Sequence, residues 1–243
     1  MNFYALIIGT EILNGRRVDK HFEFVKNELA KYGHVLFSSF IIKDDKELIS
    51  KCFELIKDDS NSVLFSFGGI GSTPDDLTRE VASKIFRNKP TTPHKKFLQD
   101  IIDKFQDEAY PHRIHMADLP PNADLIYNPF NNMSGFSLDN RFFFVPGFPE
   151  MAHPMIKDII SKHFHINKKT HRQTLLAQTS ENRLINLMQQ LPPEIELSSL
   201  PILKNNQPSV ELSLSSENKE ELNKYFNLFI KELNDSSIPY KLI

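Results

Sequence analysis

The densest concentration of chemistry-bearing residues is FGGIGSTPDDLTRE, residues 67–80. Gly68, Gly69 and Gly71 fall within four positions, followed by Ser72, Thr73, Pro74 and the adjacent carboxylates Asp75 and Asp76. Such a run costs backbone entropy, and it makes sense where backbone N–H groups must approach an anion closely. Two carboxylates beside a phosphate are repulsive unless a divalent cation lies between them or one of them handles a proton. Mg²⁺ takes one or two carboxylates plus substrate phosphate oxygens. Asp44, in IIKDDKEL, is expected on the same edge of the fold, which makes Asp44 and Asp76 candidates for a catalytic pair that activates water. Asp75 and Asp76 are the candidate metal ligands. A purely structural reading stays open: Thr73 as N-cap, Pro74 at the first helical position, and Asp75 and Asp76 favoured by the helix dipole by about 0.3–1 kcal/mol each.

Two other segments repeat the Gly, Pro and polar pattern. GTEILNGRRVD (9–19) offers Asn14 and Gly15; NPFNNMSGF (128–136) with VPGFPEM (145–151) offers Ser134, Gly135, Gly147 and Pro149 as ligand-binding candidates. Neither standard phosphate fingerprint fits. A G-x-G-x-x-G reading from Gly69 fails at Pro74, and no G-x-x-x-x-G-K-[ST] occurs. Arg16, Arg17 and Arg113 are candidates to meet phosphates, with solvated surface as the alternative. The histidine pairs HRIH (112–115) and HFH (163–165) lack partners at zinc-ligand spacing.

The elements that must position these residues alternate. Strands are predicted at 3–9, 34–42, 62–67, 123–128 and 141–145, and helices at 21–33, 45–57, 94–107 and 149–164, with Asp45 capping the second helix. That alternation predicts βαβ units, a largely parallel sheet covered on both faces, and a ligand site beyond the carboxyl ends of the strands. A polar, basic stretch, HINKKTHRQ (165–173), is the linker candidate. Beyond it, strand 174–178, helix 181–191, strands 196–203 and 209–215, helix 217–234 and strand 239–243 follow a ferredoxin-like β-α-β-β-α-β order. Domains are therefore expected at 1–164 and 174–243, the second with a structural or association role.

Composition sets the bounds. A net charge of −2 over 243 residues, with no Lys/Arg stripe, gives no footprint for nucleic acid. The single Cys52 excludes an internal disulfide and sits at helical spacing with Ile49, Phe53 and Ile56, as a core residue does. Residues 1–9 read as a strand rather than a signal peptide. No apolar run approaches the ~20 residues that span a bilayer. The expectation is a cytoplasmic protein without membrane contact.

The ordered strings GTEILNG…D, GGIGSTPDDLT, LPPNADLIYNP…SGF and VPGFPEM resemble the molybdopterin-binding (MoaB/Mog-like) domain of the CinA, or competence/damage-inducible, family, over residues 1 to about 163. The resemblance implies a three-layer α/β/α fold, a small C-terminal α+β domain, and assembly as a homo-oligomer, dimer or trimer. It implies a phosphorylated pterin (molybdopterin) or nucleotide as ligand. It also implies either metal-dependent (Mg²⁺ or Co²⁺ class) hydrolysis of a pyrophosphate linkage in ADP-ribose or FAD, or adenylyl transfer to molybdopterin, or binding without turnover. The family's acidic positions fall on Asp44 and Asp76, and its phosphate loops on Gly68, Gly69, Gly71, Ser72 and Thr73, and on Ser134 and Gly135. Three positions depart from the family pattern: Thr10 stands for Asp, Ser72 for Pro, and Met133-Ser134 for Ala-Pro.

Overall fold

The computed structural model describes residues 1–165, 169–204 and 207–243, so part of the predicted linker, residues 166–168, lies outside the described residues. The chain divides into two compact units, Met1–Ile166 and Asn167–Ile243.

The first unit runs β1 (Asn2–Ile8), α1 (Thr10–Leu13), α2 (His21–Ala30), β2 (Leu36–Ile42), α3 (Lys46–Asp58), β3 (Ser62–Phe67), α4 (Thr78–Arg87), β4 (Thr92–Pro93), α5 (Lys95–Phe105), β5 (Asp118–Leu119), β6 (Asp124–Ile126), β7 (Gly135–Leu138), β8 (Phe142–Val145) and α6 (Pro149–His163). Its main sheet has the order β2-β1-β3-β8-β7-β6. Neighbours from β2 through β8 pair in parallel, and β7 is antiparallel to both β8 and β6. The chain moves outward from β1 to β2 and then crosses to β3 on the other side. This reversal opens a crevice at the carboxyl ends of β1 and β3.

Strand β1 shows why two helical layers form. Successive side chains point to opposite faces, and all six residues from Phe3 to Ile8 are buried. Tyr4, Leu6 and Ile8 pack with Ile49 and Phe53 of α3, Val81 and Ile85 of α4 and Phe97 and Ile101 of α5. Phe3, Ala5 and Ile7 pack with Val25 and Leu29 of α2 and Met155 and Ile159 of α6. A strand buried on both faces requires helices on both, and the three-layer α/β/α expectation holds. Cys52 is buried in the first of these clusters. Asp45 caps α3 by accepting from the Leu48 amide at 2.8 Å.

The second unit places β9 (His171–Ala177), α7 (Ile185–Met188), β10 (Glu196–Lys204), β11 (Gln207–Ser216), α8 (Lys219–Asp235) and β12 (Tyr240–Leu242) in that order. Its antiparallel sheet, β10-β11-β9-β12, is the ferredoxin-like order. The helix expected over 181–191 shrinks to a 3₁₀ turn, Glu181–Arg183, and one turn of α7. Pro192 and Pro193 follow, and a residue before proline is driven out of the helical region.

One sequence expectation fails at the loop of interest. Helix α4 begins at Thr78, not at Thr73-Pro74, and Thr73 is not its N-cap. Residues 73–76 instead form a turn closed by the Asp76 amide on the Thr73 carbonyl at 3.0 Å. Thr78 is fully buried and fixes the helix start by donating its hydroxyl to the Gly68 carbonyl and its amide to the Gly69 carbonyl, both at 3.0 Å. With Thr78 seating α4 so firmly against the glycines, the five residues before it are left free to form a separate loop.

Candidate functional site

A cavity of about 680 Å³ opens at the carboxyl ends of the parallel strands. Each strand sends a residue into it: Ile8 ends β1, Asp44 follows β2, Gly68 to Asp76 follow β3, and Pro146 to Phe148 follow β8. Of the residues predicted for the site, Asp44, Gly68, Gly69, Gly71, Ser72, Thr73, Asp75, Asp76, Ser134 and Gly147 line it.

Four predicted ligand-binding residues do not line this cavity, and their surroundings give other reasons for their identity. Asn14 turns its carbonyl oxygen to the Arg16 amide at 3.1 Å and to the Arg16 side chain at 3.3 Å. Gly15 follows it in the tight turn, at φ +77°. Gly135 is buried in β7, where a Cβ would strike the Phe144 carbonyl. Pro149 opens α6. Their effect on the site is to aim the loops that carry lining residues.

The glycines of the first loop also serve the chain itself. Gly68 and Gly69 have φ of +95° and +68°, where side chains are strained. A Cβ on Gly68 would meet the Ile8 carbonyl, and one on Gly69 the Thr78 hydroxyl. At Gly71 it would sit 2.6 Å from Asp76 Oδ2.

The three acidic side chains have different roles in this geometry. Asp44 Oδ2 accepts from the Thr10 amide at 2.8 Å and the Thr10 hydroxyl at 2.9 Å, and no hydrogen bond among the described residues reaches Oδ1. Thr10 thus orients Asp44 through both donors, and the hydroxyl one is a side-chain donation that an aspartate at that position could make only when protonated. Asp76 turns back on its own loop: Oδ1 accepts from the Gly71 amide at 2.7 Å, and Oδ2 from the Thr73 amide at 2.8 Å and its hydroxyl at 2.6 Å. Asp75 has its carboxyl held below the usual range, first by the nearby Thr73 hydroxyl. Among the described residues no group of three or more His, Cys, Asp or Glu side chains is placed to hold a metal ion.

The cavity also holds the three arginines that the sequence offered as phosphate candidates, and apolar residues that it did not single out. Arg16, Arg17 and Arg113 all line it. Arg17 lies over the Phe148 ring at 5.2 Å and Arg113 over Phe105 at 4.4 Å, so two cation–π pairs face the space. Phe97, Met116, Met133 and Met151 supply apolar wall. The signal for Phe148 was present in VPGFPEM; Phe105 and Arg113 come from segments distant in sequence that only the fold brings together.

The second loop is braced by a buried amide. Asn128 is fully buried; it donates to Asn131 Oδ1 at 2.8 Å and the Met133 carbonyl at 3.0 Å, and accepts from the Phe130 amide at 3.0 Å. This network ties residues 128–133 together just ahead of Ser134. Behind Gly147 stands His21, 3 % exposed, whose Nε2 donates to the Gly147 carbonyl at 3.2 Å and whose ring stacks on Phe67 at 4.3 Å. His153 meets His21 edge-on at 5.3 Å and stacks on Phe24 at 3.8 Å. Burial pushes both imidazoles down, His153 to about 4, with the neighbouring His21 adding to the effect. The pair is neutral at pH 7 and contributes geometry rather than charge.

Residues 4–165 match the family described as "Probable molybdopterin binding domain". A CinA-like protein of Acaryochloris marina is 31% identical over 158 residues, which is 62% of this chain and 37% of that protein. A CinA-like protein of Desulfotalea psychrophila is 27% identical over 229 residues, 88% of this chain and 54% of that protein. The crystal structure of the protein CinA from Thermoplasma acidophilum aligns with a TM-score of 0.60 and 27% identity over 66% of this chain and 98% of that one. The chain belongs to the molybdopterin-binding-domain family and is CinA-like, and it spans roughly a third to a half of the length of these curated relatives. No helix among the described residues is long and apolar enough to cross a membrane.

Proposed function

We propose that the cavity of the first unit binds a phosphorylated ring compound, a nucleotide or pterin, and hydrolyses a pyrophosphate linkage in it with the help of a divalent metal. The observation that carries this reading is the meeting of a glycine loop, three arginines, two aromatic rings and Asp44 in the lining of one cavity. Arginine guanidinium groups match phosphate geometry in pairs. A planar heterocycle gains by stacking on Phe148 or Phe105. ADP-ribose and FAD have both parts, joined by the linkage to be cut.

In this reading the loop amides and Arg16, Arg17 and Arg113 hold the phosphates. Asp44, fixed by Thr10, orients a water molecule and takes its proton as the water oxygen attacks phosphorus and the bridging P–O bond breaks. A divalent metal, held by Asp75 together with phosphate oxygens, would neutralise the charge that builds on the departing phosphate.

A second reading, binding of molybdopterin or a nucleotide without turnover, is favoured by the engagement of Asp76 with its own loop and by the Thr10 departure. Incubation of the protein with ADP-ribose or FAD plus Mg²⁺, Co²⁺ or a chelator separates the two. The hydrolase reading expects metal-dependent AMP, with Asp44→Asn retaining ligand affinity but losing turnover. No AMP from either substrate with any metal would remove it and leave the binding reading.

A further inference from the structure

Directly after the glycine loop the chain carries a buried arginine, one of whose guanidinium nitrogens has no hydrogen-bond partner among the described residues. Arg79, the second residue of α4, is 8% exposed, and its Nη1 is buried with no hydrogen-bond partner among the described residues. Burial of a guanidinium without a partner is costly, and such groups are found paired or hydrogen-bonded in nearly all folds. The charges that act on it are those of Asp76 and Asp118. Asp118 is bonded to His115 through Oδ2 and Nδ1 at 2.8 Å. Glu80, the next residue, points its carboxylate to Lys46 at 2.5 Å. Asp76, three residues before Arg79 in the chain, acts on it more strongly than Asp118 does, and both of its carboxylate oxygens are engaged by Gly71 and Thr73.

What Asp76 holds there is a set of anion donors: two backbone N–H groups and a hydroxyl, converging on one carboxylate within 2.6–2.8 Å. A phosphoryl oxygen would use the same three donors. We propose that Asp76 is a built-in occupant of the phosphate cradle, and that Arg79 is the positioning residue that receives its carboxylate when a phosphoryl group takes the donors of Gly71 and Thr73. This rests on the reading of the loop as a phosphate site. It explains together why an acid sits inside a glycine loop and why a guanidinium is buried beside it without a partner. Each arrangement leaves one anion in the cradle: the chain's own carboxylate before binding, the ligand's phosphate afterwards. Two anions sharing the donors would repel, so the carboxylate must leave, and the unsatisfied guanidinium gives it a place to go. The empty cradle is thereby guarded against weak anions, and a ligand engages it only if its other contacts, to the arginines and rings, outweigh the exchange.

The test is calorimetric titration with inorganic pyrophosphate, chelator present, on the full chain and on Asp76→Asn, Arg79→Met and the double variant. Asp76→Asn removes the competing charge and is expected to bind pyrophosphate about three- to tenfold more tightly than the unaltered protein. Arg79→Met removes the receiving charge and is expected to bind about three- to tenfold more weakly, and this penalty disappears in the double variant because the two residues act as a coupled pair. Arg79→Gln carries the same expectation and covers the case in which Arg79→Met does not fold. Equal or weaker binding by Asp76→Asn, beside measurable binding by the unaltered protein, overturns the proposal and leaves the phosphate site standing. An Arg79 penalty that persists in the double variant overturns the role given to Arg79. No binding of pyrophosphate by any of these proteins overturns both this proposal and the phosphate-site reading.

Discussion

Lowering the pH from 7 to 5 is predicted to destabilise the first unit through the His21–His153 pair. His153 has its folded pKa pushed from 6.5 to about 4 by burial first and by His21 second. The unfolded chain therefore takes up a proton at a pH where the folded chain does not. Stability from this group is fully present above the unfolded value of 6.5 and is lost as pH falls toward 4. For one group with those two values, linkage gives a loss of about 1.8 kcal/mol between pH 7 and pH 5. Halving this for the water that reaches a partly exposed ring leaves about 1 kcal/mol. A loss of that size lowers the melting temperature of a unit of this length by about 2–4 °C. His21 is displaced in the same direction and adds to the drop. Scanning calorimetry of the unaltered protein and of His153→Phe, which keeps the stack on Phe24 without a titrating nitrogen, measures the effect. The variant is expected to show a shallower slope between pH 7 and pH 5. An unchanged melting temperature across that range, or a variant with the full slope, refutes the reasoning.

Further outcomes follow from individual contacts. Asp45→Ala removes the cap of α3 and is expected to cost about 1 kcal/mol by denaturant titration, with ligand affinity unchanged. Gly71→Ala places a methyl 2.6 Å from Asp76 Oδ2 and is expected to disturb the carboxylate's bonds to the Gly71 and Thr73 amides, read as a lower melting temperature; an unchanged melting temperature would show that those bonds do not hold the loop. Arg113→Ala removes a proposed phosphate partner and the cation–π contact with Phe105, itself about 0.5–1 kcal/mol at an exposed site. Its affinity loss for ADP-ribose is expected to exceed that for ribose 5-phosphate, read by calorimetry. Asn128→Ala strips the amide that braces the second loop and is expected to cost about 1–3 kcal/mol through the donors and acceptors left unpaired, read as a lower denaturation midpoint.

The fold was legible because β1, β2 and β3 are continuous apolar runs separated by amphipathic helices, a pattern with few alternative solutions. The order of the second unit was legible for the same reason, although its first helix was drawn over 181–191 where only a 3₁₀ turn and one helical turn form. Less could be read where structure depends on contacts between distant residues. Strand β7 is only four residues long, Gly-Phe-Ser-Leu, and pairs because β8 lies beside it. Thr73-Pro74-Asp75-Asp76 has the local signature of a helix start, but Thr78 anchors the helix further on by bonding Gly68 and Gly69. Of the site, Asp44 and the glycine loop were readable from strand ends and composition. The partnership of Asp44 with Thr10, 34 residues apart, was not, nor were the aromatic rings beneath Arg17 and Arg113. Those depend on the register in which β1 and β2 pair and on how α5 folds back toward the loops.

The central claim is that one cavity receives both the phosphates and the ring of a single ligand. Calorimetric titration with ADP-ribose, ribose 5-phosphate and adenosine, under identical buffer and Mg²⁺, tests it most directly. ADP-ribose is expected to bind more tightly than either fragment by at least tenfold, and Arg17→Ala and Phe148→Ala are each expected to reduce that advantage. Equal affinity for all three, or no measurable heat with any of them, would contradict it.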